Sequence, residues 1–251
     1  MYVYSCAPDW ESMLTCIFDA WASKKGHSNI KLLLEPIEQY ELFNEYIHVD
    51  ADPLKAKSVM DAVNEKISTD FYRELAYAAM AYEPDVLDVI YHVMILGFAY
   101  GPNVLEMKQY ADIMRFFEIR RRIGNESHSF REFVRFHEIS KAMYVAHIEP
   151  KSRIVVALGN CFSDRMPSEN WMIIDDIHRE CIVHPCNEEF YYRKLDEEEY
   201  EKLLDTEREN DEYTDLWRVF FDSIAIKERE NYRCQRNFFP KWKRKHVVEF
   251  N

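Results

Sequence analysis

The residues best suited to chemistry lie in residues 130–186 and in a basic stretch near the C-terminus. Asp175 and His178 are the catalytic candidates. Either Asp175 or His178 could act with a water in N-glycosidic hydrolysis, a single carboxylate being able to activate it. Asp176 is adjacent, but neighbouring strand residues point to opposite faces, so the two aspartates do not form a carboxylate pair at one centre. Arg135, Arg165 and Arg179 surround Asp175 in sequence. Arg135 and Asp175 are expected on strands and Arg165 at the end of a helix between them, which would bring the three to one end of a sheet. That arrangement fits a phosphate or base site with arginine as the bidentate donor. An internal Arg–Asp pair that pins a hairpin to a helix is the plainer reading.

His178, Cys181, His184 and Cys186 form H-x-x-C-x-x-H-x-C, residue types that bind zinc. Four ligands so close together on extended chain rarely converge, so the run is read as a strand with incidental Cys and His, and no metal or cofactor is expected. The remaining group is Arg229, Asn231, Arg233, Arg236, Lys241, Lys243, Arg244 and Lys245, interleaved with Tyr232, Phe238, Phe239 and Trp242. Rings stack on bases and cations follow phosphates, which suits single-stranded or flipped nucleic acid. A basic tail docked on the protein's own acidic segment is the alternative.

The elements that must position these groups follow from periodicity. Trp10, Met13, Leu14, Ile17, Phe18 and Trp21 share a helical face after Asp9. Residues 30–34 and 42–49 read as strand or extended connection. Asp52-Pro53 opens a second helix, Asp70 a third, and Pro84-Asp85 a richly apolar fourth that Gly101-Pro102 stops. Asn103 and Glu106 resemble a capping box for a long helix ending at Arg120-Arg121-Arg122 and Gly124. Residues 133–139 alternate Val134 and Phe136 with Arg135 and His137 and read as a strand, returning through 143–148 as a hairpin. A helix to Arg165, a strand over 171–177 and a further strand over 181–184 follow. Residues 195–208 are expected as an exposed helix, and a helix from Tyr213 should bury Leu216, Val219, Phe220 and Ile224.

The expected fold class is α+β, with a helical N-terminal half and a small, mainly antiparallel sheet flanked by helices in the C-terminal half. The chain reads as one domain over 1–251, with a possible subdivision near 125. A net charge of −13 repels nucleic acid and anionic membranes on average. The charge is uneven, at −8 over residues 188–212 and +6 over 227–246, so the basic segment can still meet phosphate. Polar residues interrupt the N-terminus, and no apolar run is long enough to span a bilayer. Scattered cysteines suit reduced thiols. A cytoplasmic protein without a membrane partner is the expectation.

Ordered blocks through the chain resemble a known family. They are Tyr2-x-Tyr4, Leu14-x-x-Ile17-Phe18-Asp19-Ala20, Phe133-x-Arg135-Phe136 and Tyr144-x-Ala146-x-Ile148-Glu149-Pro150. Phe162-x-x-Arg165-x-Pro167, Trp171-x-Ile173-x-Asp175-x-x-x-Arg179 and Leu216-Trp217-Arg218-x-Phe220-Phe221 come next. Ile224-Ala225-Ile226-Lys227-x-Arg229-x-Asn231-x-x-x-Gln235 and Pro240 complete the series. The pattern resembles the family named for DNA metabolism and DNA repair, a domain of unknown function also found ahead of uracil-DNA glycosylase-like domains. Ser140-Lys141-Ala142 stands where that family usually has a turn glycine. The resemblance implies a DNA partner and a genomic neighbour, a radical S-adenosylmethionine protein of DNA repair. Glycosylase activity is not carried over. The expected function is a nucleic-acid-binding accessory of that radical enzyme. A hydrolase acting through Asp175 or His178, and a pure adaptor for the radical enzyme, stay open beside it.

Overall fold

A computed structural model gives the fold, with residues 1–37, 39–140, 143–206, 220, 223 and 231–247 described. The chain divides into two compact units, Met1–Ile123 and Gly124–Asn251. Helices and strands are mixed in an α+β architecture.

The first unit contains a sheet, so it is not simply helical. Its strands β1 (Tyr2–Cys6), β2 (Ile30–Leu34) and β3 (Glu45–His48) run in the order β2-β1-β3, and both pairings are parallel. Parallel neighbours need a crossover, and α1 (Trp10–Ala22) supplies it between β1 and β2. Asp9 caps α1 by accepting from the Ser12 amide at 3.0 Å, and Met13, Leu14 and Ile17 are buried. Asp52 caps α2 (Pro53–Lys66), accepting from the Leu54 and Lys55 amides. Ser68, rather than Asp70, caps α3 (Thr69–Ala78), its hydroxyl accepting from the Phe71 amide. α4 (Val86–Tyr100) follows and is largely buried.

Asn103 and Glu106 lie in a 3-10 turn, and α5 runs Ala111–Phe133. The helix passes through Gly124 because its apolar stripe continues there. Ile113, Phe116, Ile119 and Ile123 are buried, and Phe130 carries the same face onward. A helical glycine costs about 1 kcal/mol, less than such burial returns.

In the second unit α5 extends where a strand was expected, so Arg135 lies in a short connection before β4 (His137–Ser140). The sheet adds β5 (Met143–Ile148), β6 (Asn170–Asp175), β7 (Glu180–His184) and β8 (Tyr191–Lys194) in the order β4-β5-β6-β7-β8. Three pairings are antiparallel and β5–β6 is parallel. The antiparallel expectation thus holds for this sheet only in part. The crossover from β5 to β6 is α6 (Val155–Arg165). α6 packs so near β7 that a Cβ on Gly159 would come within 2.8 Å of Ile182 Cδ1. A core patch joins Val145, Met172, Ile174 and Cys181 to Leu195 and to Tyr200 of α7 (Glu197–Thr206).

β6 stops at Asp175 rather than running on to 177, because Asp175 closes the turn that follows. The chain ends its described part with a helix over Tyr232–Phe238 and a 3-10 turn over Lys241–Lys243. Most of the helix expected from Tyr213 lies outside the described residues; of its apolar positions Phe220 is described and is 51% exposed. No helix among the described residues is long and apolar enough to cross a membrane.

Candidate functional site

The parallel pairing of β5 and β6 places two carboxylates side by side. Ile148 is in register with Asp175, and the Asp176 amide donates to the Ile148 carbonyl at 3.0 Å. Glu149 and Asp176 therefore follow one another across the carboxyl ends of neighbouring strands. The chain's last described residues bring Lys245 and His246 onto this pair. His246 Nε2 is 3.2 Å from Asp176 Oδ2 and 3.6 Å from Glu149 Oε1. Lys245 Nζ is ion-paired to Glu149 Oε1.

The other oxygen of Asp176 is held from below. Its Oδ1 contacts His147 Nδ1 at 2.7 Å and accepts from the Tyr200 hydroxyl at 3.0 Å. Burial alone would raise the Asp176 pKa, but the contacts from His147, His246 and Tyr200 outweigh it and hold the carboxyl well below the usual range. The same burial, with the Asp176 charge beside it, pushes the Tyr200 phenol up. Arg179, at φ 54° in the turn after β6, lays its guanidinium 3.6 Å from the centre of the Tyr200 ring.

Beside the carboxylates is a small open cleft. His147, Glu149, Lys245 and His246 line it together with the rings of Phe130, Phe133 and Trp242. Phe239 anchors the C-terminal segment here: it is buried and stacks on Phe133 with ring centres 3.7 Å apart. Glu149, Asp176 and His246 offer ligand atoms all within 4.8 Å of one another.

The catalytic candidates are occupied elsewhere. Asp175 is fully buried, its Oδ1 accepts from the amides of Ile177 and His178, and its Oδ2 contacts His178 Nδ1 at 2.7 Å. Both oxygens serve the turn between β6 and β7. Arg135 and Arg165 do not form the expected group with Asp175 on one sheet end. Arg135 donates to the Glu132 and Val134 carbonyls, and Arg165 to the Arg131 carbonyl, around the end of α5. Arg165 also lies just before β6 begins, whereas Asp175 ends that strand.

The His/Cys run does not converge either. His178 is on Asp175, Cys181 is in the core patch, His184 Nδ1 is 3.0 Å from the Glu169 carbonyl and Cys186 Sγ is on the Ser168 carbonyl.

The basic tail divides by role. Asn231 caps the last helix by accepting from the Cys234 amide. Arg233, Arg236 and Lys241 are exposed, as are Tyr232 and Phe238 at 65% and 82%. Arg244 donates twice to the Phe239 carbonyl, at 2.9 and 2.7 Å. Lys243 is half-buried beside Phe130 and Trp242, and that burial lowers its pKa. Arg229 lies outside the described residues. His147, Tyr200 and His246 escaped the sequence reading, although Glu149 stood in a quoted block and Asp176 inside another.

No curated protein matches the chain. The family described as Domain of unknown function (DUF4130) matches residues 84–249, leaving the first two quoted blocks outside its span. That span is well over half the sequence, and the chain belongs to the DUF4130 family.

Proposed function

We propose that this chain is a nucleic-acid-binding accessory in DNA repair or DNA metabolism, acting beside a radical S-adenosylmethionine enzyme. The observation that carries the binding is the arrangement of the C-terminal segment. Phe239 fixes it by burial against Phe133, while Tyr232, Phe238, Arg233, Arg236 and Lys241 stay exposed on it. Trp242 adds a half-exposed ring over the cleft. Exposed rings interleaved with unburied cations suit a strand whose bases stack while its phosphates run alongside. The acidic remainder of the chain would keep such contact local. The repair context and the radical partner rest on the resemblance of the quoted blocks.

The test is binding of the full chain to labelled single-stranded and duplex oligonucleotides at low salt, followed by anisotropy. Phe238→Ala is the informative variant because the ring is exposed and its removal leaves the core alone. One lost base stack corresponds to about 1–3 kcal/mol, so single-strand affinity should fall about 5- to 150-fold. Absence of any affinity at low salt, with binding to the radical enzyme retained, would establish the adaptor in its place. Base release by the isolated protein, abolished in Asp175→Asn with the fold intact, would establish the hydrolase.

A further inference from the structure

We propose that Glu149, Asp176 and His246 form a binding site for a divalent transition-metal ion of the zinc class. This goes beyond the nucleic-acid reading and does not depend on it. The ligand atoms come from three separate places, the ends of two parallel strands and the C-terminal segment, and meet within 4.8 Å. Zinc binds imidazole nitrogen and carboxylate oxygen at about 2.0–2.2 Å, so two ligands on a tetrahedral ion lie about 3.3 Å apart. The separations from His246 Nε2 are 3.2 Å to Asp176 Oδ2 and 3.6 Å to Glu149 Oε1.

The orientation of the imidazole is the second observation. His246 Nε2 is buried and lies close to both carboxylates, without a well-aligned hydrogen bond to either. A nitrogen held between two carboxylate oxygens can turn its lone pair toward a cation that all three groups share. Asp176 is preset in the same sense. His147 Nδ1 and the Tyr200 hydroxyl hold its Oδ1 and leave Oδ2 facing His246, as outer-shell partners do at metal sites. Two adjacent carboxylates also need a cation between them, and at present the Lys245 ammonium meets Glu149. It would compete with the ion. Three protein ligands leave a tetrahedral ion one position for water, and Glu149 and His246 both border the cleft.

The experiment uses the full chain stripped with a chelator and titrated with Zn²⁺ by calorimetry. One Zn²⁺ per chain is expected. Glu149→Gln and His246→Gln should each weaken binding at least about 30-fold, and Tyr200→Phe about 10-fold through the loosened carboxylate. Lys245→Met should tighten binding by removing the competing charge, and Cys181→Ser should leave it unchanged. X-ray absorption on the loaded wild-type protein needs no variant to fold, and should show nitrogen and oxygen ligands alone. A sulfur shell at about 2.3 Å, binding unaffected in Glu149→Gln, or no stoichiometric uptake would each overturn the site.

Discussion

The salt dependence of DNA binding separates phosphate contacts from internal ones within a single short segment. Arg233, Arg236 and Lys241 are exposed, whereas Arg244 spends two donors on the Phe239 carbonyl and Lys243 is buried enough to lower its pKa. Each phosphate contact contributes about 0.7 to the log–log slope on single strands and about 0.9 on duplex. Replacing Arg233, Arg236 and Lys241 together by Gln should therefore flatten the slope by about 2 on single strands and by nearly 3 on duplex. Their melting temperature should hardly move, since exposed charges contribute little. Arg244→Gln should do the reverse. It removes two charge-assisted bonds to a carbonyl at the anchor, a loss of about 1–3 kcal/mol, while the slope stays near that of wild type. Fluorescence anisotropy over a salt series and thermal unfolding by circular dichroism give both readings. An unchanged slope in the triple variant would refute the role assigned to the exposed cations, whatever affinity remained.

Other outcomes follow from single contacts. Gly159→Ala should destabilise by about 1 kcal/mol in thermal melts, because its methyl meets Ile182 Cδ1 at 2.8 Å and the Phe190 ring at 2.9 Å; the overpacking outweighs the gain in helix propensity. A higher melting temperature would contradict that packing. Asp176 has a depressed pKa, so its stabilisation is present above the unfolded carboxylate value of about 3.9 and is lost as pH falls through the folded one. Asp176→Asn should flatten this acid limb and lower stability at neutral pH. In the first unit, hydrogen bonds to Glu35 and then to Asp50 raise the His48 pKa. Its contribution is therefore present below the unfolded value of about 6.5 and is lost as pH rises through the folded one. Proton NMR should place the His48 titration above that value, and Glu35→Gln should bring it down.

Much of the chain's local grammar was legible in residue types and spacing. Asp9 and Asp52 cap helices as their positions imply, and the hairpin at 137–148 pairs as alternation suggests. The misreadings have physical causes. Gly124 looks like a stop because glycine disfavours helix, but a buried face continuing through Ile123 and Phe130 carries α5 past it. Arg135 and Phe136 mimic strand alternation on the way out of that helix. Asp175 was legible as an important carboxylate but not as an occupied one. A turn that consumes both oxygens depends on backbone amides at 177 and 178, and residue identity does not display where an amide points.

The carboxylate–histidine cluster depended on a fact of topology that no motif contains. A mainly antiparallel sheet makes Glu149 and Asp176 look unrelated, since an antiparallel β6 in the same place would put Asp176 near Met143, at the far end of β5. The α6 crossover makes the strands parallel, and the one-to-one register that follows brings both carboxylates to the same end. Ligands commonly gather at the carboxyl ends of parallel strands because their loops all leave there. His246 completes the group from a segment remote in sequence, held by the Phe239–Phe133 stack. The anchor and the cluster are therefore coupled. Phe239→Ala, at about 3–5 kcal/mol for loss of a buried ring, should release His246 and return the Asp176 pKa toward the ordinary range even though every residue around that carboxylate is unchanged.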